Sequence, residues 1–298
     1  MNKTSTRAGF IAIVGLPNAG KSTFINKALG HKVAIVSPKA QTTRMPVRGI
    51  LSTEDTQLIF VDTPGLYKGK RQLEELMLNT VQQNWQDADA VLHVVDATKG
   101  FQEMDISLLE DLKKAKKPTV LALNKVDLIK EKEELLPILQ EANDLAVYEE
   151  VFPISAMKGV AVEDLVQTLG SFVPESPFLY DPETVTDLPQ RYALAETTRE
   201  KIFMFLQQEL PYGIAVETVS IEEFDNGDLR VDQNILLDRD AHKQIVIGHK
   251  GEMLKKIGTA ARKEMTKSYG RKVHTFLQVK VKTNWANSKR LLQEMGIF

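Results

Sequence analysis

Phe10-Ile-Ala-Ile-Val14-Gly15-Leu-Pro-Asn18-Ala19-Gly20-Lys21-Ser22-Thr23 decides the fold of the first half of the chain. An apolar run, a glycine-flanked turn, then a lysine and two hydroxyls predict a strand, a phosphate-cradling loop and a helix opening at Lys21. Backbone N–H groups at a helix N-terminus face anions. In that setting Asn18, Ala19, Gly20, Lys21, Ser22 and Thr23 are candidate nucleotide contacts. Lys21 reaches β- and γ-oxygens, and the Ser22 hydroxyl suits Mg²⁺.

Downstream, near-continuous apolar runs alternate with helical segments, which predicts βαβ units, an α/β fold and a mostly parallel sheet. Ligands of such sheets bind beyond the carboxyl ends of the strands. Three further motifs stand at such ends. Asp62-Thr-Pro-Gly65 follows Gln57-Leu-Ile-Phe-Val61. Asp62 is placed to hold the Mg²⁺ shell, directly or through water, and the Gly65 N–H can approach a γ-phosphate. Asn124-Lys125-Val-Asp127 follows the run at 119–123. The Asp127 carboxylate can accept from guanine N1–H and the 2-amino group, a donor pair adenine lacks, so this tetrad converts nucleotide to GTP. Asn124 can clamp neighbouring loops, and the Lys125 stem can cover the base. Ser155-Ala156-Met157 follows Val151-Phe-Pro-Ile154, and the Ala156 N–H is expected to reach guanine O6.

Composition narrows the alternatives. The 298 residues suffice for two domains, and 43% are hydrophobic, enough for real cores. With zero cysteines and five scattered histidines, disulfides, thiol chemistry and thiolate zinc sites are excluded. The short polar start and the lack of any long apolar run predict a cytoplasmic protein. The net charge of −2 conceals segregation: residues 243–298 hold 13 Lys/Arg against 3 Asp/Glu. A basic C-terminal region predicts an anionic partner, above all nucleic acid.

Phe172–Arg191 is rich in prolines, which restrict φ and remove N–H donors. The expected organisation is therefore a nucleotide domain at 1–174, an extended linker at 175–190 and a second domain at 191–298. The second domain should be a small α+β module: helix 191–207, a hairpin turning at Asp225-Asn-Gly-Asp228, a strand at 243–246, helix 252–268 and strand 272–282. Its decisive piece is Gly248-His249-Lys250-Gly251, before a helix carrying Lys255 and Arg262. Two glycines admit a nucleic-acid backbone closely, and in KH domains such a loop clamps single-stranded RNA. Ile245-Val-Ile247, Leu254 and Ile257 are expected to form a groove for bases. Lys280 and Lys282 are expected to extend a positive stripe, and Trp285 to be a core residue more than a stacking platform.

The nucleotide motifs resemble the translation-factor class of GTPases. With Lys39-Ala-Gln-Thr-Thr43-Arg44, Ala195–Phe203 and Gly248–Gly258 added, the chain from about residue 8 onward resembles the Era GTPases, bacterial ribosome-assembly factors with a C-terminal KH domain of type II. The resemblance implies a P-loop GTPase that binds small-subunit 16S rRNA near its 3′ end, assists 30S maturation, is monomeric and associates partly with the membrane, although the chain shows no strong amphipathic anchor. It implies Mg²⁺ held by Ser22, Asp62 and a switch threonine, with Thr43 preferred over Thr42. It also implies K⁺ near the phosphates through Asn18. Catalytic contributions are expected from Lys21, Thr43, Gly65 and Asn18. Leu66 occupies the place where many small GTPases carry a water-orienting glutamine, so basal turnover should be slow. The chain departs from the family pattern mildly, at Ala19, at His249-Lys250 and over Tyr67–Arg71.

Overall fold

The computed structural model describes residues 5–37, 39, 43–62, 86–207 and 210–297. Gly65 and Leu66, residues 71–85 of the helix expected over 71–86, and Thr42 lie outside the described residues.

The chain forms two compact units, and the first comprises residues 1–34, 46–68 and 76–187. Its sheet is built from β1 (Arg7–Val14), β2 (Val47–Ser52), β3 (Thr56–Asp62), β4 (Ala90–Asp96), β5 (Thr119–Asn124) and β6 (Glu150–Ile154), in the order β2-β3-β1-β4-β5-β6. All neighbours are parallel except β2, which is antiparallel to β3. Every residue of β4 and β5 is buried, because both faces are covered, and this is why their sequences read as near-continuous apolar runs. The covering helices are α1 (Lys21–Leu29), α2 (Glu103–Ala115), α3 (Leu135–Leu145) and α4 (Val162–Ser171). Phe24, Ile25 and Leu29 of α1 pack with Ile11, Ile13, Phe60 and Leu92 in one core cluster. Gln102 and Asp105 cap α2 reciprocally, satisfying two orphan N–H groups.

The proline-rich stretch is extended, as its φ restriction dictates, but it is not loose. Ser176 N donates to Thr6 O at 2.9 Å, and the buried Gln57 amide oxygen accepts from the N–H groups of Leu179 and Tyr180 at 2.8 and 2.9 Å. Thr186 bridges to Gly49, and Asp187 pairs with Arg48 at 2.8 Å. Residues 175–187 are therefore a strap on the first unit.

The second unit comprises residues 35–45, 69–75 and 188–298. Its elements are α5 (Gln190–Phe205), β7 (Ile214–Glu223), β8 (Leu229–Leu237), α6 (Lys243–Ile247), α7 (Glu252–Tyr269), β9 (Val273–Val281) and α8 (Lys289–Glu294). Strand β8 is central, antiparallel to β7 and parallel to β9. Ile257, Ala261 and Met265 recur every four residues on α7 and face the sheet. Gly258 brings α7 close to β9: a Cβ there would lie 3.3 Å from Leu277 Cδ1. The expected strand at 243–246 is instead the short helix α6, whose Val246 is fully buried. Three β-branched residues in five raised the strand expectation, and packing of Val246 beside Ile257 overrides that local preference.

Val36, Lys39 and Arg44 are held in this second unit. The Arg44 guanidinium is buried and donates to the carbonyls of Ile214 and Tyr212 at 2.7 and 2.9 Å. It lies 5.8 Å from the Phe203 ring centroid and 5.4 Å from that of Trp285. Lys39 donates to the carbonyls of Phe203 and Leu206 at the C-terminus of α5, where a cation complements the helix dipole. Val36 N donates to Glu200 Oε1 at 3.1 Å. This coverage helps to bury the mid-helix Arg199 and Glu200, whereas the buried Lys201 is paired with Glu200 at 2.7 Å and Glu264 at 3.5 Å.

Candidate nucleotide and RNA sites

The ends of β1, β3, β5 and β6 gather the predicted nucleotide residues at one edge of the first unit's sheet. Gly15 takes φ 141°, and an added Cβ would stand 2.2 Å from Val94 O, so the turn out of β1 admits no side chain. Asn18 is exposed in the left-handed region at φ 63°. Gly20 caps α1 at φ 105°, and a Cβ on it would sit 2.1 Å from Asn124 Nδ2. Lys21 is buried, donating to Gly15 O at 2.9 Å and Leu16 O at 3.0 Å. Burial pushes its ammonium down to about 8, partly opposed by the charges of Asp62 and Asp105. The Ser22 hydroxyl donates to Asp62 Oδ2 at 2.7 Å. Thr23 follows on the first turn of α1.

Asn124 joins two of the loops. Its Nδ2 donates to Ala19 O at 2.8 Å, and its Oδ1 accepts from Ala156 N at 2.9 Å. The clamping role expected of Asn124 is thus seen, but the Ala156 N–H, expected to face guanine O6, is engaged by Asn124. Ser155 is buried and its hydroxyl accepts from Lys158 N at 3.1 Å, which closes the turn and leaves Met157 exposed. Asp127 stands exposed on a single 3₁₀ turn, Val126–Leu128. Lys125 takes φ 71°, and its ammonium pairs with Asp96 Oδ2 at 2.7 Å. Asp96 was missed by motif reading; the available signal was that it ends a mostly apolar strand just as Asp62 does. Thr43 belongs to the segment held in the second unit, adjoining Arg44.

In the second unit, Gly248 (φ 75°), Lys250 (φ 48°) and Gly251 (φ 83°) form a tight turn between α6 and α7. A Cβ on Gly248 would meet Met253 Cβ at 2.7 Å. His249 and Lys250 are exposed at the tip of this turn, and Lys255 and Arg262 are exposed on α7. Seven residues apart, the latter two share one helix face. Two expectations need correction. Ile257 is fully buried in the core with Val246, so it cannot line a groove for bases; only Ile245 of that apolar flank is well exposed. Lys280 does not extend the stripe along α7: it alternates with Leu277 and Val279, which pack under the helices, and so stands on the opposite sheet face. Trp285 is wholly buried, its Nε1 donating to Gly213 O at 3.0 Å.

A phosphate loop, an acid on the next strand and an Asn-Lys-x-Asp turn on one doubly covered sheet define a P-loop GTPase. The α-β-β-α-α-β second unit with Gly-x-x-Gly between its helices defines an appended KH domain of type II. The family described as 50S ribosome-binding GTPase matches residues 10–125, and the KH domain family matches residues 209–286. GTPase Era of Brucella suis biovar 1 is 45% identical over 294 residues, covering 99% of this chain and 94% of that protein. GTPase Era of Caulobacter vibrioides is 44% identical over 308 residues, covering 99% and 97%. Among solved structures, a variant of Aquifex aeolicus Era bound to GDP.AlF4- matches with a TM-score of 0.94 at 38% identity, covering 98% of this chain and 99% of that one. Era in complex with MgGDPNP and nucleotides 1506–1542 of 16S ribosomal RNA matches with the same TM-score, identity and coverage. The chain belongs to the Era family of GTPases.

Proposed function

We propose that this chain is a GTP-driven switch that binds the 3′ region of 16S rRNA through its KH domain and assists maturation of the 30S subunit. The observation that carries this reading is the convergence of Lys21, Asp62, Asn124 and Asp127 at one sheet edge, on a chain that also presents Gly248–Gly251 beside exposed basic side chains. Relatives that match along the full length, one of them captured with MgGDPNP and 16S rRNA, support it.

Lys21 would exchange its carbonyl partners for phosphate oxygens, and Asp127 would take the guanine edge. Ser22 and Asp62 fit Mg²⁺, being hard oxygen donors already 2.7 Å apart, with Thr43 completing the set in the GTP state. When bound, the ion neutralises charge on the β- and γ-oxygens. Thr43 adjoins Arg44, which is fastened in the KH unit; on this reading, drawing Thr43 toward the phosphates would be linked to RNA loading. His249, Lys250, Lys255 and Arg262 would contact the RNA backbone.

Asn18 at its left-handed position supports a K⁺ site near the phosphates that offsets charge developing during hydrolysis; equal turnover in K⁺ and Na⁺ would count against it. A monomer, located in the cytoplasm and in peripheral contact with the membrane, completes the reading and rests on the family resemblance alone. Among the described residues no helix is long and apolar enough to cross a membrane.

Crosslinking to cellular RNA tests the proposal. Enrichment at the 3′ end of 16S rRNA is expected; enrichment on tRNA alone would point to a tRNA-modifying GTPase instead. Phosphate release in K⁺ buffer, with and without that RNA, separates the switch from an RNA adaptor whose nucleotide unit is inert.

A further inference from the structure

We propose that Asp96 is a positioning residue for the nucleotide base, acting through Lys125. The inference rests on the reading of Lys125 as the cover of the guanine face. In the parallel pairing of β4 with β5, Asp96 lies beside Asn124, so the strand register delivers its carboxylate to the base-recognition turn. Oδ1 accepts from Thr98 N at 3.1 Å and from Thr98 Oγ1 at 2.7 Å, which fixes the carboxylate. Oδ2 takes the Lys125 ammonium at 2.7 Å. Burial opposes ionisation of Asp96, but the hydrogen bonds from Lys125 and Thr98 more than offset it, so the group stays below the usual carboxylate range.

The geometry matters because a lysine stem is flexible, with four rotatable carbons. Lys125 leaves its backbone at φ 71°, and Asp96 captures the other end. A stem tied at both ends presents a fixed apolar flank instead of sampling solvent. The ordering cost is met before the base arrives, which is how preorganisation raises affinity. Asp127, which reads the guanine edge, lies outside this pair, so affinity and base selectivity should separate.

Titration of nucleotide-free protein with ribose-labelled mant-GDP, at constant Mg²⁺, tests this through a double-mutant cycle. Asp96→Asn keeps the acceptor for Thr98 and removes the charge. It should weaken mant-GDP about tenfold, a typical size for removing a charge-assisted hydrogen bond, with the preference over mant-ADP unchanged. Lys125→Ala should weaken it comparably, and the pair Asp96→Asn/Lys125→Ala should be no weaker than Lys125→Ala alone. Thermal midpoints without nucleotide should differ little between Lys125→Ala and the pair. Full additivity in the cycle, or wild-type affinity in Asp96→Asn, overturns the proposal. Wild-type affinity in Lys125→Ala also overturns it while leaving the nucleotide site intact. Failure of the unmodified protein to bind mant-GDP would overturn the nucleotide reading itself.

Discussion

The Lys21 ammonium donates to the carbonyl oxygen of Gly15 at 2.9 Å, so the loop closes on its own lysine. Burial has lowered this group from 10.5 to about 8. Below pH 8 the folded, nucleotide-free protein bears the whole cost of a buried charge. Between about 8 and 10.5 the unfolded chain holds the proton and the folded one does not, so the cost fades as pH rises. Lys21→Met should therefore abolish GTP binding yet raise the nucleotide-free thermal midpoint at pH 7, by about 2–4 °C per kcal/mol recovered. Scanning calorimetry at pH 7 and pH 10 checks this; the gain over wild type should shrink at the higher pH.

Asn124→Ala should be costly twice over. It strands the carbonyl of Ala19 and the N–H of Ala156, both buried, at about 1–3 kcal/mol for each. It also frees the phosphate loop from the base-binding loop. Thermal denaturation should show the loss without nucleotide, and GTP and GDP affinities should fall together. A drop confined to one nucleotide would contradict a clamp.

Arg44→Ala should uncouple the two ligands. If the Arg44 anchor transmits the nucleotide state, RNA affinity in the variant becomes equal with GTP and GDP, whereas couplings of about 5–150-fold are typical of intact switches. Arg44→Lys should not restore the effect, because two diverging carbonyls and two rings call for a planar fork. Fluorescence anisotropy of a labelled 16S 3′ fragment measures it; an unchanged GTP-to-GDP ratio in Arg44→Ala would exclude the anchor.

Gly248→Asp should remove RNA binding and leave GTP binding intact, since a Cβ there collides with Met253 and the new charge repels phosphate. Lys250→Ala and Lys255→Ala should each weaken RNA moderately and reduce the salt slope by about 0.7 for each phosphate left without its cation. Titrations at several KCl concentrations separate the two kinds of effect.

The nucleotide edge was largely legible because its parts are local. Gly15 through Ser22 and Asn124 through Asp127 each fold within a single turn, so residue type and spacing carry their geometry. The Gly-x-x-Gly turn was legible for the same reason. What escaped depends on distant partners. Nothing near Arg44 in the chain announces Ile214, 170 residues away. Asp96 acquires meaning only when β4 pairs with β5. Residues 243–246 looked like a strand by propensity, and only the packing of Val246 beside Ile257 makes them part of a helix. Ala156 seemed open to the base because the Asn-Lys-x-Asp motif announces a clamp but not which distant N–H group its Asn124 oxygen takes.

The second unit is a discontinuous domain, since residues 35–45 complete it from within the first half of the chain. Expression boundaries follow from this. A fragment of residues 188–298 would keep every strand and helix of the KH fold, yet leave a vacant socket at Phe203 and Trp285, with two carbonyls turned into it. The complementary fragment would carry Arg44 on an unanchored loop. Neither piece would then be a faithful sample of the intact molecule, and the loop that completes the RNA-binding half is encoded beside the one that senses phosphate.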